Sequence, residues 1–243
     1  MELLARAVGP IQTNVYVLAD SSTREAIALD TAKPCLSWIS GLLAERGWRL
    51  KLIVSTHGHW DHIGDNAAVQ AWTREQAEHA VAHLATPEYD PGSTGLPGAG
   101  VGDAEAQIAV HALDRHRLVH PEPLSAPFEI APSVPAVDLA EGGRIKFGGI
   151  ELEVLHTPGH TEGSVTLVER TAGLVFTGDT LFAGGWGRTD LPGGSEEQIV
   201  ASLSRLAGLP GGLRVFPGHG AATTMANERP WLEQVKATGR LPF

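Results

Sequence analysis

The chain has 243 residues, of which 42% are hydrophobic and 19% charged, enough to bury a sizeable core and too apolar overall for a disordered chain. Acidic residues outnumber basic ones 28 to 18, a formal charge of -10 that argues against a nucleic-acid surface, and no apolar run reaches the length of a membrane span. Eleven histidines stand against one cysteine and two tyrosines, so a bound metal would have to be held by imidazole and carboxylate.

The N-terminal residues MELLARAVGP lack the basic-then-apolar pattern of a secretory signal. A lone cysteine, Cys35, cannot form an internal disulfide, and both features lead us to expect a cytoplasmic protein. Residues 13–19 (TNVYVLA) and 25–29 (EAIAL) read as a hairpin around a polar turn. Pro34 suits a first helical turn, and LSWISGLLAE runs with helical spacing to the stop at Gly47. KLIVS (51–55) is a short apolar run with the signature of a buried strand, and a second helix is expected over roughly 64–83.

Residues 87 to about 137 are rich in Gly and Pro around one expected helix near 103–116. That span reads as an insertion within a single domain covering 1–243, either a lid or dimer contact near the active-site edge or a surface excursion unconnected with substrate. Regular structure then resumes. GRIKF and IELEVL flank the turn Gly148-Gly149, and SVTLVE and GLVFT follow as strands. Ser195-Glu196-Glu197-Gln198 fits a capping box opening a helix over 196–206, LRVF is a last strand, and a helix closes the chain near 224–237.

Five of these strands end alike. EAIAL is followed by Asp30, and KLIVS by Thr56-His57-Gly58-His59-Trp60-Asp61-His62. IELEVL is followed by His156-Thr157-Pro158-Gly159-His160-Thr161, GLVFT by Gly178-Asp179-Thr180, and LRVF by Pro217-Gly218-His219-Gly220. Each strand delivers a His or Asp into a turn at its C-terminal end, where neighbouring strand ends converge. Four potential ligands within HGHWDH crowd a single ion. Alternation sends His57 and His59 one way, with Asp61 and His62 a turn further round. Two ions side by side, with a carboxylate such as Asp179 between them, is the natural solution. Imidazole and carboxylate suit zinc first, with iron and manganese also matched.

Asp30, HGHWDH, HTPGHT, GDTLF and PGHG together resemble the five ordered motifs of the metallo-β-lactamase superfamily. That resemblance implies an α/β (α+β) fold, a four-layer αββα sandwich, with a dinuclear metal site along one edge of its sheets. It places His57, His59 and His160 on the first metal, and Asp61, His62 and His219 on the second, with Asp179 bridging. It makes Asp30 a partner that orients a ligand. The run GDTLFAGGWGRTDLPGGS is similar to the glyoxalase II-like (hydroxyacylglutathione hydrolase) branch and to the related persulfide dioxygenases. The fifth motif departs from that branch: it reads PGHGAATT, so a tyrosine that contacts glutathione there has no counterpart.

The resemblance thus implies hydrolysis of a thioester or related activated acyl compound by a metal-bridging hydroxide, with Asp61 and Asp179 facing the nucleophile. The alternatives are a mononuclear-iron persulfide dioxygenase, using His57, His160 and Asp179, and a lactonase. The expected partner is a small molecule, with an anionic one left open, and neither nucleic acid nor membrane is involved, on a monomer or homodimer. Around the ligands, Trp60 and Trp186 stand where they would either wall the pocket or pack in the core. Arg188 and Asp190 form a candidate structural pair, and His156 either supports a ligand or is merely buried. His79, His83, His111, His116 and His120 read as ordinary helix or insertion residues, and Cys35 as packing.

Overall fold

The strand Arg49–Val54 is buried at every position after its first. A strand with one wet face would alternate; this one needs cover on both sides, as strands in parallel pairings do. The computed structural model describes residues 1–79, 88–90, 105–122 and 126–242, and it supplies that cover as two facing sheets with helices outside them.

In chain order the elements begin with β1 (Glu2–Val8), β2 (Thr13–Asp20), β3 (Glu25–Leu29), α1 (Leu36–Arg46), β4 (Arg49–Val54), α2 (Trp60–Ile63) and α3 (Asn66–His79). Next come β5 (Glu88–Asp90), β6 (Gln107–His111), a 3-10 turn (Ala112–Asp114), α4 (Arg115–Val119) and β7 (Val137–Leu139). The second half holds β8 (Arg144–Phe147), β9 (Ile150–His156), β10 (Val165–Glu169), β11 (Leu174–Gly178), α5 (Glu196–Leu206), β12 (Arg214–Pro217), β13 (Thr223–Thr224) and α6 (Met225–Thr238). The first sheet has the order β1-β2-β3-β4-β6-β7 and the second β13-β12-β11-β10-β9-β8-β5.

Three apolar clusters separate four layers. Leu18, Ile27, Leu29, Leu52 and Val54 of the first sheet meet Leu152, Val154, Leu167 and Phe176 of the second. Ile39, Leu43 and Val69, from α1 and α3, cover the outer face of the first sheet through Val17, Ala28 and Ile53. Ile199, Leu203, Leu232 and Val235, from α5 and α6, cover the second through Val175 and Val215. This is the αββα sandwich implied by the motifs.

Strand direction places the site. β3, β4 and β6 run parallel in the first sheet, and β11 and β12 run parallel in the second. β9 is antiparallel to β10, which is antiparallel to β11, so β9 shares their direction. The five ligand-bearing turns therefore gather along one edge of the sandwich.

Most of the expected elements are present. Ser195 Oγ accepts a hydrogen bond from Gln198 N and caps α5, and Gly47, with φ of 63°, closes α1. Four differences have physical causes. β1 is an edge strand with a half-exposed burial pattern, too weak in alternation to show in the sequence. The helix expected near 103–116 is instead strand β6, followed by the 3-10 turn and the short α4. Parallel pairing with β4 and β7 overrides the local pattern of QIAVH and buries Ile108, Ala109 and Val110. The insertion expected over 87–137 thus carries a core strand, while 87, 91–104 and 123–125 lie outside the described residues. The helix expected over 64–83 starts at Asn66, after the single turn α2, and its last part also lies outside them. Among the described residues no helix is long and apolar enough to cross a membrane.

Asp65 ties the ligand-bearing turn to the helical layer. Its Oδ2 accepts hydrogen bonds from Cys35 N (2.7 Å) and Leu36 N (3.0 Å), capping α1 from a distance. Asp65→Ala leaves buried N–H groups unpaired and is expected to lower stability by about 1–3 kcal/mol in urea unfolding. A loss below about 0.5 kcal/mol, the scale of an ordinary surface change, contradicts this role.

Candidate metal centre

Neighbouring ligand turns are locked to one another. Asp30, with φ of 56°, adopts the left-handed conformation that Asp tolerates better than most residues. Its Oδ1 accepts from Thr56 N (2.7 Å) and its Oδ2 from Thr56 Oγ1 (2.8 Å), fixing the start of the His57 turn. The same Oδ2 lies 3.0 Å from His62 Nδ1. After β4 the chain bends at Thr56-His57, is extended at His59, then coils for one turn through Asp61 and His62. Gly218 must be glycine, since a Cβ there would lie 2.1 Å from Asp179 Oδ1 and 2.7 Å from His62 Cε1.

Two groups of donors result. His57, His59 and His160 form one, their nitrogens all within 4.8 Å of one another. In it His59 Nδ1 lies 2.8 Å from His160 Nε2. Asp61, His62 and His219 form the other, with Asp61 Oδ2 at 3.1 Å from both His62 Nε2 and His219 Nε2. Asp179 stands between them and, with His57 and His62, makes a third grouping that overlaps both. Its Oδ1 is 3.4 Å from His62 Nε2, and its Oδ2 is 3.5 Å from His160 Nε2 and 3.4 Å from His219 Nε2. Every metal-capable grouping among the described residues is drawn from these seven side chains.

The donor set fits a divalent cation. His160 Nδ1 donates to Arg188 O (2.7 Å) and His219 Nδ1 to Ile11 O (3.1 Å), which fixes a proton on the outer nitrogen of each ring. In the neutral ring the inner Nε2 is then a bare lone pair, the arrangement typical of metal-bound imidazole. His57 Nε2 and Asp179 Oδ1 are buried with no hydrogen-bond partner, a cost a protein rarely bears without a ligand to meet.

The charges agree. Burial, then the neighbouring His62 and His160, push His57 well below the usual histidine range, and burial with His160 takes His59 down to about 3. Burial opposes ionisation of Asp61 and Asp179, but the His62 charge and the bonds from His219 and His62 outweigh it, holding both carboxyls well below their usual range. Burial also opposes charging of His219, yet the bonds to Asp179 and Asp61 raise it to about 9. His62 is likewise raised against burial, by Asp61, Asp179 and Asp30.

The flanking residues separate. Trp60 lines the pocket over the centre and packs on Phe128 (5.6 Å between rings). Trp186 instead packs against Trp231 (5.7 Å) beside α6. Arg188 and Asp190 form a two-pronged ion pair (Nε–Oδ1 2.7 Å, Nη2–Oδ2 2.6 Å) at the exposed rim. His156 stacks on His111 (4.1 Å) and reaches Glu162 O (2.8 Å), away from the donors. Cys35 is buried at the start of α1.

Sequence reasoning missed the residues at the start of β2. Thr13 Oγ1 donates to Asp61 Oδ2 (2.9 Å). Asn14 Nδ2 donates to Pro217 O (3.0 Å) and Gly220 O (2.9 Å), and Tyr16 OH to Pro217 O (2.7 Å). These bonds clamp the His219 turn from the opposite sheet. The only sequence signal was the polar pair Thr13-Asn14 leading an otherwise apolar strand.

The metallo-beta-lactamase superfamily model matches residues 8–219, and the chain belongs to that superfamily. A metal-dependent hydrolase of this superfamily is the class that fold, donors and family define. Among relatives, a probable metallo-hydrolase of Bacillus subtilis, YqgX, is 34% identical over 91% of this chain and 92% of its own length. A hydroxyacylglutathione hydrolase of Thermosynechococcus vestitus is 32% identical over 84% of this chain, which spans 62% of that protein. Among solved structures, BLEG-1 B3 metallo-beta-lactamase superposes with a TM-score of 0.72 at 29% identity, covering 96% of this chain and 99% of that one. TTHA1623, in a di-iron-bound form, gives a TM-score of 0.69 at 29% identity over 93% and 96%.

Because His219 is raised to about 9, it is protonated at neutral pH without an ion, and a cation must displace that proton. Metal uptake in weakly buffered solution is expected to release protons at pH 7 and fewer as pH rises past about 9. Uptake that releases no protons at pH 7 contradicts the arrangement.

Proposed function

We propose that this chain hydrolyses a thioester or related activated acyl compound of small size with two divalent ions, held as the motifs imply. The observation that carries it is the convergence of seven donors, five of which (His59, Asp61, His160, Asp179 and His219) line an open pocket of about 580 Å3. His57, His59 and His160 would hold one ion, Asp61, His62 and His219 the other, with Asp179 between. The nitrogen and oxygen donors, with no thiolate among them, suit zinc, iron or manganese. Ions in this site would lower the pKa of bound water towards neutrality and polarise an acyl carbonyl.

The chain's own groups do the rest. Asp61 Oδ2, steadied by Thr13, and Asp179 Oδ1, buried without a hydrogen bond and 3.4 Å from His62 Nε2, face the reacting space and orient a water by accepting its hydrogen bonds. Ile11, Trp60, Phe182 and Leu191 give the pocket apolar walls that exclude bulk water from the acyl group, and Arg188 stands at the rim within reach of a negative charge. A thiolate leaves without needing a proton, so the pocket needs no separate general acid. The hydroxyacylglutathione hydrolase among the relatives supports a thioester.

The test is a panel of S-lactoylglutathione, a simple acyl thioester, an acyl homoserine lactone, nitrocefin and glutathione persulfide, run on metal-analysed protein. Thioester turnover should require metal. It should fall by more than about 100-fold in Asp179→Ala, because even residues behind the ligands cost 10–100-fold when removed. Oxygen consumption with the persulfide and one iron per chain would replace this reading with the dioxygenase one.

A further inference from the structure

The segment spanning β6, the 3-10 turn and α4 contributes no donor to the centre, yet one of its side chains holds both loops of the first donor group. Asp114 is fully buried. Its Oδ2 accepts from Gly58 N (2.7 Å), the residue between His57 and His59, and from Thr161 Oγ1 (2.7 Å), the residue after His160. Its Oδ1 accepts from Gly163 N (3.1 Å), further along the His160 loop.

Arg117 extends the brace. Its Nε lies 3.5 Å from Asp114 Oδ1, and its Nη2 donates to Glu162 Oε2 (2.7 Å) and to Pro192 O (2.8 Å) in the loop after Asp179. The approach is close enough to dictate sequence. A Cβ on Gly58 would lie 2.6 Å from Arg117 Cβ, and one on Gly163 would lie 2.6 Å from Asp114 Cγ. The glycine inside HGH is thus explained by a residue nearly sixty positions away, not by its own turn.

We propose that Asp114 is the positioning residue of the first donor group, fixing the separation between the His57-Gly58-His59 loop and the His160 loop. A carboxylate suits the task because all its bonds here are accepted ones. An amide would set its NH2 against at least one of three donors. The group depends on this brace because its three imidazoles come from two loops on different sheets. Asp61, His62 and His219 are braced instead by Thr13, Asp30 and the β2 clamp; Asp30 also fixes the start of the His57 turn, but Asp114 bonds only to the loops of the first group. The inference rests on reading these groups as metal sites.

The test titrates metal-stripped wild type, Asp114→Asn and Gly58→Ala with Co2+, following bound equivalents by equilibrium dialysis and ligand-field absorption, with melting temperature alongside. Wild type should bind two equivalents. Asp114→Asn should weaken one of them about 10–100-fold and alter its absorption, leaving the other as in wild type. Gly58→Ala, which keeps the carboxylate but pushes the loop off Arg117, should reproduce that split even if the Asn variant folds poorly. Equal weakening of both equivalents with a lowered melting temperature, or no weakening at all, overturns the proposal. A wild-type chain that takes up no Co2+ overturns both this inference and the metal-site reading beneath it.

Discussion

Burying a polar atom without a partner costs about 1–3 kcal/mol, and this chain does so repeatedly at one place. His57 Nε2, His59 Nε2 and Asp179 Oδ1 are all buried without hydrogen bonds, within a cluster of five imidazoles and two carboxylates. Such a cluster persists only if the surrounding fold forces it together and a cation rewards the arrangement. The two-sheet sandwich supplies the force: strands sharing one direction bring five turns to a single edge, and buried apolar layers on three levels keep those turns from drifting apart.

The bonds behind the donors convert that coarse convergence into orientation. Carbonyls at Ile11 and Arg188 set the proton on His219 and His160, and the Asp30 carboxylate lies against His62. Thr13 steadies Asp61, while Asp114 holds the two loops of the first group. The partners come from the β1–β2 hairpin, from β3, from the 3-10 turn and from the loop after β11. The centre is therefore the meeting point of nearly every layer, and its geometry is a property of the whole sandwich.

The donors themselves were legible in the sequence because their signal is local: an apolar strand, then His or Asp in a turn with Gly or Pro. The seven side chains lie together in one cluster, and Asp30 Oδ2 lies 3.0 Å from His62 Nδ1. The braces were illegible because they join residues far apart in sequence. Thr13 meets Asp61 across 48 positions, Gly58 meets Asp114 across 56, and Tyr16 meets Pro217 across 201. No periodicity marks such pairs. β6 was hidden for another reason: it lies in a stretch whose Gly and Pro content suggested an excursion, and only its pairing between β4 and β7 reveals it as core. Trp60 and Trp186 looked equivalent beside ligand turns, and packing separates them, one over the pocket and one beneath α6.

The central claim is that the two donor groups hold two neighbouring cations. Anomalous X-ray scattering at the metal edge, from crystals of the protein as purified or reloaded with zinc, addresses it directly. The account predicts two peaks about 3.5–4 Å apart, one among His57, His59 and His160 and the other among Asp61, His62 and His219, with Asp179 touching both. A single peak, or peaks lying away from these seven side chains, would contradict it.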